Sequence, residues 1–250
     1  FNYDTFTYEE SLSNAVRINK TNKVFTANEA PREVEIFLHH EMAQTPTYPR
    51  NIFFFCKSAS ETGGETPLCR SDQLYEALLK ADRALVESFE KFGVIYNSIM
   101  SSGDELISGQ GRSWQKTLGV SSKNHAEAKL TDLGYSWSWI EGDNLSVTTK
   151  TLKATKELRD GKKSFFNQVI AASLGWKKNS QNPIPPVRFG NGEEIRQSYI
   201  ELIGELAQSL TLLRSWHDND ILLIDNYRVM HGRKPFSGIK NREVLVSLTN

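Results

Sequence analysis

The sequence predicts a mainly β protein, an antiparallel sandwich or jelly roll with helices packed outside it. Short apolar or alternating runs cluster at both ends of the 250-residue chain, where strands must pair with one another. Only two long segments carry helical spacing. The stretch between the strand groups, about residues 95–192, is mixed and polar. It reads as an insertion within one domain spanning residues 1–250.

Composition narrows the possibilities. Hydrophobic residues are 38% and charged residues 24%, close to globular averages, which excludes a disordered chain. Thirty Lys and Arg balance thirty Asp and Glu, so the charge footprint of a nucleic-acid binder is missing. No apolar run approaches the ~20 residues of a bilayer span. Neither nucleic acid nor membrane is therefore expected as a partner. Cys56 and Cys69 make no disulfide framework and there is no signal-peptide pattern, so a reducing, cytoplasmic setting is expected. The first residue is Phe1 rather than Met, so a longer parent chain is expected.

Each element has its own warrant. Val24–Thr26, Ile36–Met42 and Ile52–Lys57 are the first strands. A helix is expected over Ser71–Phe92. Ser71 and Asp72 suit its start, Leu74, Ala77, Leu78, Ala81, Leu85 and Phe89 recur at helical spacing, and Gly93 stops it. A shorter helix is expected over Val147–Leu158. Asn182–Pro186 carries three prolines and reads as an extended loop, because proline cannot occupy a central strand. A second long helix covers Glu193–Leu213, with Ile195, Tyr199, Leu202, Leu206 and Leu210 on one face. Ile221–Ile224, Tyr227–Met230 and Arg242–Leu248 are the last strands, with turns at Asp225-Asn226 and Lys234–Gly238.

The chain has five histidines, and His39, His40 and His231 lie in strand-like surroundings. On a strand, side chains alternate faces, so His39 and Glu41 share one face while His40 and Met42 share the other. An imidazole nitrogen beside a carboxylate oxygen is two corners of a metal site. The run His40-Glu41 also begins like the zinc-protease helix pattern, but Gln44 stands where the second His would be. His231 ends a second apolar run and is a candidate third ligand. Two His and one carboxylate on one face of a metal suit non-haem Fe(II). Arg242 follows His231 by 11 residues and opens the last strand, where a cation among apolar residues needs an anionic partner. That partner is a small dicarboxylate or a protein carboxylate. Thr66, in Gly63-Gly64-Glu65-Thr66-Pro67, offers a hydroxyl to the same carboxylate, or serves as a turn residue.

These residues resemble the TauD/TfdA family of Fe(II)- and 2-oxoglutarate-dependent oxygenases, in its clavaminate synthase-like branch. The matching stretches are Val24–Glu29, Leu38–Gln44, Phe53–Cys56, Gly63–Pro67, Phe166–Gln168, Leu223–Asn226, His231–Arg233 and Arg242, in order along most of the chain. The resemblance implies a double-stranded β-helix. It implies that His39, Glu41 and His231 hold iron and that Thr66 and Arg242 hold the distal carboxylate of 2-oxoglutarate. It implies oxidation, by O2, of an unactivated C–H bond in a small molecule, with succinate and CO2 as co-products. Halogenating relatives replace the metal carboxylate with a small residue, and Glu41 is present here.

Asn28, Arg112, Trp114, Asn167 and Arg233 are candidates for the substrate pocket, and basic groups there favour an amino-acid-like or carboxylate-bearing substrate. Each also has a plain structural reading. Asn28 and Asn167 can satisfy loop backbone, Arg112 and Arg233 can make ion pairs, and Trp114 can be core. Two other readings compete with the oxygenase. One is a cupin-like isomerase or hydrolase using the same triad with Zn2+ or Mn2+. The other is a non-catalytic jelly-roll binding module.

Overall fold

The structure is a computed structural model, which describes residues 5–6, 12–13, 15–104, 111–176 and 184–250. Strands from the two ends of the chain interleave in two antiparallel sheets. In the first, Asn51–Ser58 lies between Ile221–Asp225 and Glu243–Thr249, and Glu243–Thr249 pairs in turn with Thr5–Phe6 and Phe25–Thr26. The second runs Thr211–Arg214, Thr66–Arg70, Val229–Arg233, Ile36–His39. Ile52, Phe54 and Cys56 alternate inward along their strand, as the period of two requires. Together with Val244, Val246 and Leu248 they form a core on which Leu68 and Val229 of the second sheet pack. That core lies between the sheets.

Helices cover the other face of the second sheet. Cys69 and Met230 join a core with residues of the Ser71–Ala81, Arg83–Phe92, Val169–Gly175 and Gln197–Ser209 helices. The fold is thus mostly β with helices, and all its sheets are antiparallel. Cys56 and Cys69 are buried free thiols. Among the described residues no helix is long and apolar enough to cross a membrane.

Several boundaries differ from expectation. The Ser71–Phe92 helix is two helices broken at Asp82, whose extended backbone frees its carboxylate to accept the Leu85 N–H at 2.9 Å. That cap starts a second helix, and Gly93, at φ 62°, ends it as expected. The helix expected over Val147–Leu158 is absent. Asn144–Thr148 is instead a strand between Val94–Met100 and Ser136–Ile140 in the inserted sheet. Leu145 and Val147 face a third core there, and long-range pairing overrides the local helical reading. The second long helix is shorter than expected, Gln197–Ser209, because Thr211–Arg214 pairs with Thr66–Arg70. The strand expected over Tyr227–Met230 is Val229–Arg233, which places His231 at its centre. The strand expected over Ile36–Met42 ends at His39, and the one expected to open at Arg242 begins at Glu243. In the Pro-rich stretch, Asn182 and Pro183 lie outside the described residues, and residues 184–186 form no strand or helix.

Candidate metal centre

His39 and His231 face each other across the ladder between Ile36–His39 and Val229–Arg233. Directly opposed residues share a face, and these imidazoles sit with centroids 4.5 Å apart. Glu41 joins them by another route than strand alternation. After His39 the chain leaves the sheet and turns through Glu41–Gln44. Met42 adopts φ 59°, a left-handed conformation uncommon outside glycine. Its side chain is fully buried between the sheets, and Thr45 returns two hydrogen bonds to its carbonyl.

Asn226 holds this turn from the far end of the sequence. Its Oδ1 accepts the Glu41 N–H at 2.7 Å, and its Nδ2 donates to the Glu41 carbonyl at 3.1 Å and the Pro49 carbonyl at 2.8 Å. Its own carbonyl accepts from His40 Nδ1 at 2.5 Å. His40 therefore braces the turn and lies against Phe166.

The result is three ligand atoms, one each from His39, Glu41 and His231, all within 4.8 Å of one another. His39 Nδ1 donates to the Phe37 carbonyl at 2.8 Å, which fixes the tautomer and leaves Nε2 as a lone-pair donor. Glu41 Oε2 lies 3.5 Å from His231 Nε2. Burial and the neighbouring His231 depress the His39 pKa to about 4, and burial depresses that of His40 to about 3. Burial opposes ionisation of Glu41, but Arg17, His231 and His39 together hold its pKa below the carboxylate range. Arg17 Nη2 sits 3.2 Å from both Glu41 oxygens. A neutral His39 imidazole beside an ionised carboxylate, with His231 opposite, suits a divalent metal.

Beside this triad is a cavity lined by Phe54, Thr66, His231, Arg233, Arg242 and Val244, among others. Thr66 is not a turn residue. It begins the Thr66–Arg70 strand, is buried, and lies two residues from Leu68, which pairs with His231. Arg242 reaches in from the bulged start of the last strand and donates to the Gly64 carbonyl at 3.1 Å. Gly64, at φ 76°, is what admits it, since a Cβ there would lie 2.9 Å from Arg242 Nε. Burial lowers the Arg242 pKa. Its Nε is buried without a hydrogen-bond partner, and among the described residues Arg242 makes no ion pair. A cation so placed fits an incoming carboxylate.

The other candidates separate. Asn28 lines this cavity and an adjoining one that His39 and Glu41 also line. Arg233 also borders the first cavity, but its guanidinium donates to the carbonyls of Asn28, Ala30, Pro31 and Val34, and burial lowers its pKa to about 10. Asn167 is occupied by the Ala154 carbonyl and the Val169 N–H. Arg112 donates to the Ser13 carbonyl at 3.5 Å and lines an outer cleft with Arg17. Trp114 sits in the third core, its indole N–H on the Asp143 carbonyl. The structure therefore brings Asn28 to the centre, and gives Asn167, Arg233 and Trp114 backbone or core contacts. Arg17, Asn226 and Trp216, whose indole N–H donates to Thr66 Oγ1 at 2.9 Å, escaped the sequence reading. Arg17 and Trp216 lie outside the stretches that resemble the family, while Asn226 follows Asp225 and reads as a turn residue.

Comparison with known proteins agrees with this geometry. The family profile described as taurine catabolism dioxygenase TauD, TfdA family matches residues 3–248. A clavaminate synthase-like protein of Arabidopsis thaliana is 33% identical over 99% of this chain and 74% of its own length. The dapdiamide synthesis protein DdaC of Enterobacter agglomerans is 26% identical over 98% of this chain and 74% of its own. Among solved structures, an asparagine oxygenase crystallised with Fe(II), 2S,3S-3-hydroxyasparagine and succinate superposes with a TM-score of 0.53 at 10% identity, over 95% of this chain and 60% of that one. A taurine dioxygenase from Burkholderia xenovorans gives 0.53 at 11% identity, over 99% and 67%. Isomerase, hydrolase and binding-module readings fall away. The chain belongs to the TauD/TfdA family of Fe(II)- and 2-oxoglutarate-dependent dioxygenases, enzymes that act on small molecules.

Proposed function

We propose that this dioxygenase oxidises, by hydroxylation, an unactivated C–H bond of a small amino-acid-like or carboxylate-bearing molecule. The chain acts as one domain over residues 1–250, a double-stranded β-helix carrying an insertion at about 95–192. One observation supports the reading above others: the His39, Glu41 and His231 ligand atoms converge beside Arg242, a cation with no ion-pair partner among the described residues.

In this reading His39, Glu41 and His231 hold Fe(II). The bound metal supplies O2 activation, coupled to decarboxylation of 2-oxoglutarate to succinate and CO2. Arg242 and Thr66 take the distal carboxylate, the guanidinium through paired hydrogen bonds and the hydroxyl through one. That fixes the 2-oxo acid end toward the triad. Phe54 and Val244 line the walls with apolar surface and keep water from the chain between the two carboxylates.

The substrate enters the second cavity, which His39 and Glu41 line together with Phe37, Trp176, Asn28, Gln44 and Gln168. Gln44 Oε1 is buried there without a hydrogen-bond partner among the described residues, so it suits an ammonium or amide donor. Arg17, at the border of both cavities, favours a carboxylate.

Anaerobic titration tests the reading. Fe(II) followed by 2-oxoglutarate should give the weak visible charge-transfer band of a chelated keto acid, lost in His231→Ala. Succinate release then screens substrates, and amino acids or small carboxylic acids should lead. Iron binding without a band would sink the co-substrate assignment.

A further inference from the structure

We propose that Trp216 is a positioning residue for 2-oxoglutarate: its indole N–H fixes the Thr66 hydroxyl so that the hydroxyl donates to the distal carboxylate. The inference rests on the co-substrate reading above.

Trp216 lies in the link between Thr211–Arg214 and Ile221–Asp225, where the chain passes from the second sheet to the first. The link is rigidly tied. Cys56 N–H donates to the Asp220 carbonyl at 2.9 Å, Asn219 N–H to the Cys56 carbonyl at 2.7 Å, and Ala59 N–H to Asp218 Oδ1 at 2.8 Å. From it the indole enters the core between the sheets and meets Phe54 edge-on, with centroids 6.5 Å apart. Phe54 in turn lies edge-on to His231 at 5.4 Å. The indole Nε1 is 2.9 Å from Thr66 Oγ1, and both side chains are buried.

The chemistry of the two groups sets the direction. An indole N–H only donates, whereas a hydroxyl donates one hydrogen and accepts through two lone pairs. With Trp216 donating, Thr66 Oγ1 is the acceptor of that bond, and its own hydrogen must point elsewhere. Among the described residues the hydroxyl has no acceptor of its own, and it lines the cavity that Arg242 also lines. A carboxylate is acceptor-only. The indole therefore turns an ambivalent hydroxyl into a committed donor, aimed beside the Arg242 guanidinium. Polarisation along the pair strengthens the second bond.

The test is a binding cycle read without turnover. Wild type, Trp216→Phe, Thr66→Val and the double variant are loaded anaerobically with Fe(II). The 2-oxoglutarate Kd is then taken from the charge-transfer band and from thermal shift. Phe keeps the ring against Phe54 and removes only the N–H. Trp216→Phe should weaken 2-oxoglutarate about tenfold and leave Fe(II) affinity unchanged. It should have no further effect once Thr66 is Val. Thr66→Ser should restore the sensitivity to Trp216→Phe. 2-Oxobutyrate, which lacks the distal carboxylate, should bind equally to wild type and Trp216→Phe. An unchanged Kd in Trp216→Phe overturns the proposal. So does equal weakening in the Thr66→Val background, which would make the indole a packing residue. Loss of Fe(II) binding in Trp216→Phe would also overturn it. If wild type itself binds Fe(II) but not 2-oxoglutarate, the co-substrate reading fails first and this inference with it.

Discussion

Asn226 grips Glu41 by both sides of its backbone, accepting its N–H at 2.7 Å and donating to its carbonyl at 3.1 Å, across 185 residues of sequence. The side chain stands in for a neighbouring strand just where the sheet has ended. It joins the turn that carries Glu41 to the turn that leads into the His231 strand. Asn226→Ala leaves the Glu41 and Pro49 backbone groups buried and unpaired, at about 1–3 kcal/mol each. We expect a loss of about 3 kcal/mol in chemical denaturation. Fe(II) affinity should fall about 10–100-fold, as for other residues that orient a ligand. Wild-type affinity in a folded Asn226→Ala would show that Glu41 is held by other means.

Arg242→Lys should raise the 2-oxoglutarate requirement at least tenfold while Fe(II) affinity stays within twofold. An ammonium supplies the charge but not the planar fork. Parallel anaerobic titrations with metal and with co-substrate read the two effects separately, and an unchanged requirement would mean that another cation holds the carboxylate.

Arg233→Lys should be a stability variant. The guanidinium bonds four carbonyls of the Asn28–Val34 segment, and a lysine cannot span that array. A loss of about 2–4 kcal/mol is expected from the bonds left unmade, with Fe(II) affinity little changed. A stable variant with altered substrate preference would instead return Arg233 to the substrate pocket.

Asp72 makes one region acid-sensitive. Burial opposes its charge, but bonds from Arg70 and Arg228 outweigh burial and lower its pKa. A carboxylate with a depressed folded pKa stabilises the fold at pH above its unfolded value near ~3.8, and that contribution is lost as pH falls through the folded value. The acid limb of the stability curve, read by denaturation between about pH 2 and 5, should be shallower in Asp72→Asn than in wild type. The variant should also be about 2 kcal/mol less stable at neutral pH, where Arg70 loses its partner and Arg228 keeps only Asp160. Identical acid limbs would assign the acid response to other groups.

Much of the centre was legible because its chemistry is carried by residue type. His39, Glu41, His231, Thr66 and Arg242 could be chosen from the sequence, and the structure gathers the first three and lines the adjoining cavity with Thr66 and Arg242. The reason offered for His39 and Glu41 did not hold. Strand alternation stops at His39, and Glu41 reaches the centre through a turn with a left-handed methionine. Asn226 and Trp216 were illegible as positioning residues, because their partners lie 185 and 150 residues away and no local period marks such a contact. The strand at Asn144–Thr148 was misread for the same reason, since its pairing with Val94–Met100 is a long-range fact. Asp82 shows the opposite limit. Apolar spacing runs through it almost unbroken, and only the capping bond to Leu85 reveals two helices.

Arg17 has a consequence for how the enzyme comes into being. With its guanidinium on both oxygens of Glu41, Arg17 supplies the carboxylate with a counter-charge from the protein itself. Many small metal sites are unfolded until filled, because their ligands repel or stay hydrated without the ion. Here a counter-charge built into the chain should let the polypeptide fold without the ion. Iron, when bound, would have to share the Glu41 oxygens with Arg17 or displace it from one of them. Refolding rate should therefore be indifferent to iron supply, and a chelator should silence the enzyme without melting it.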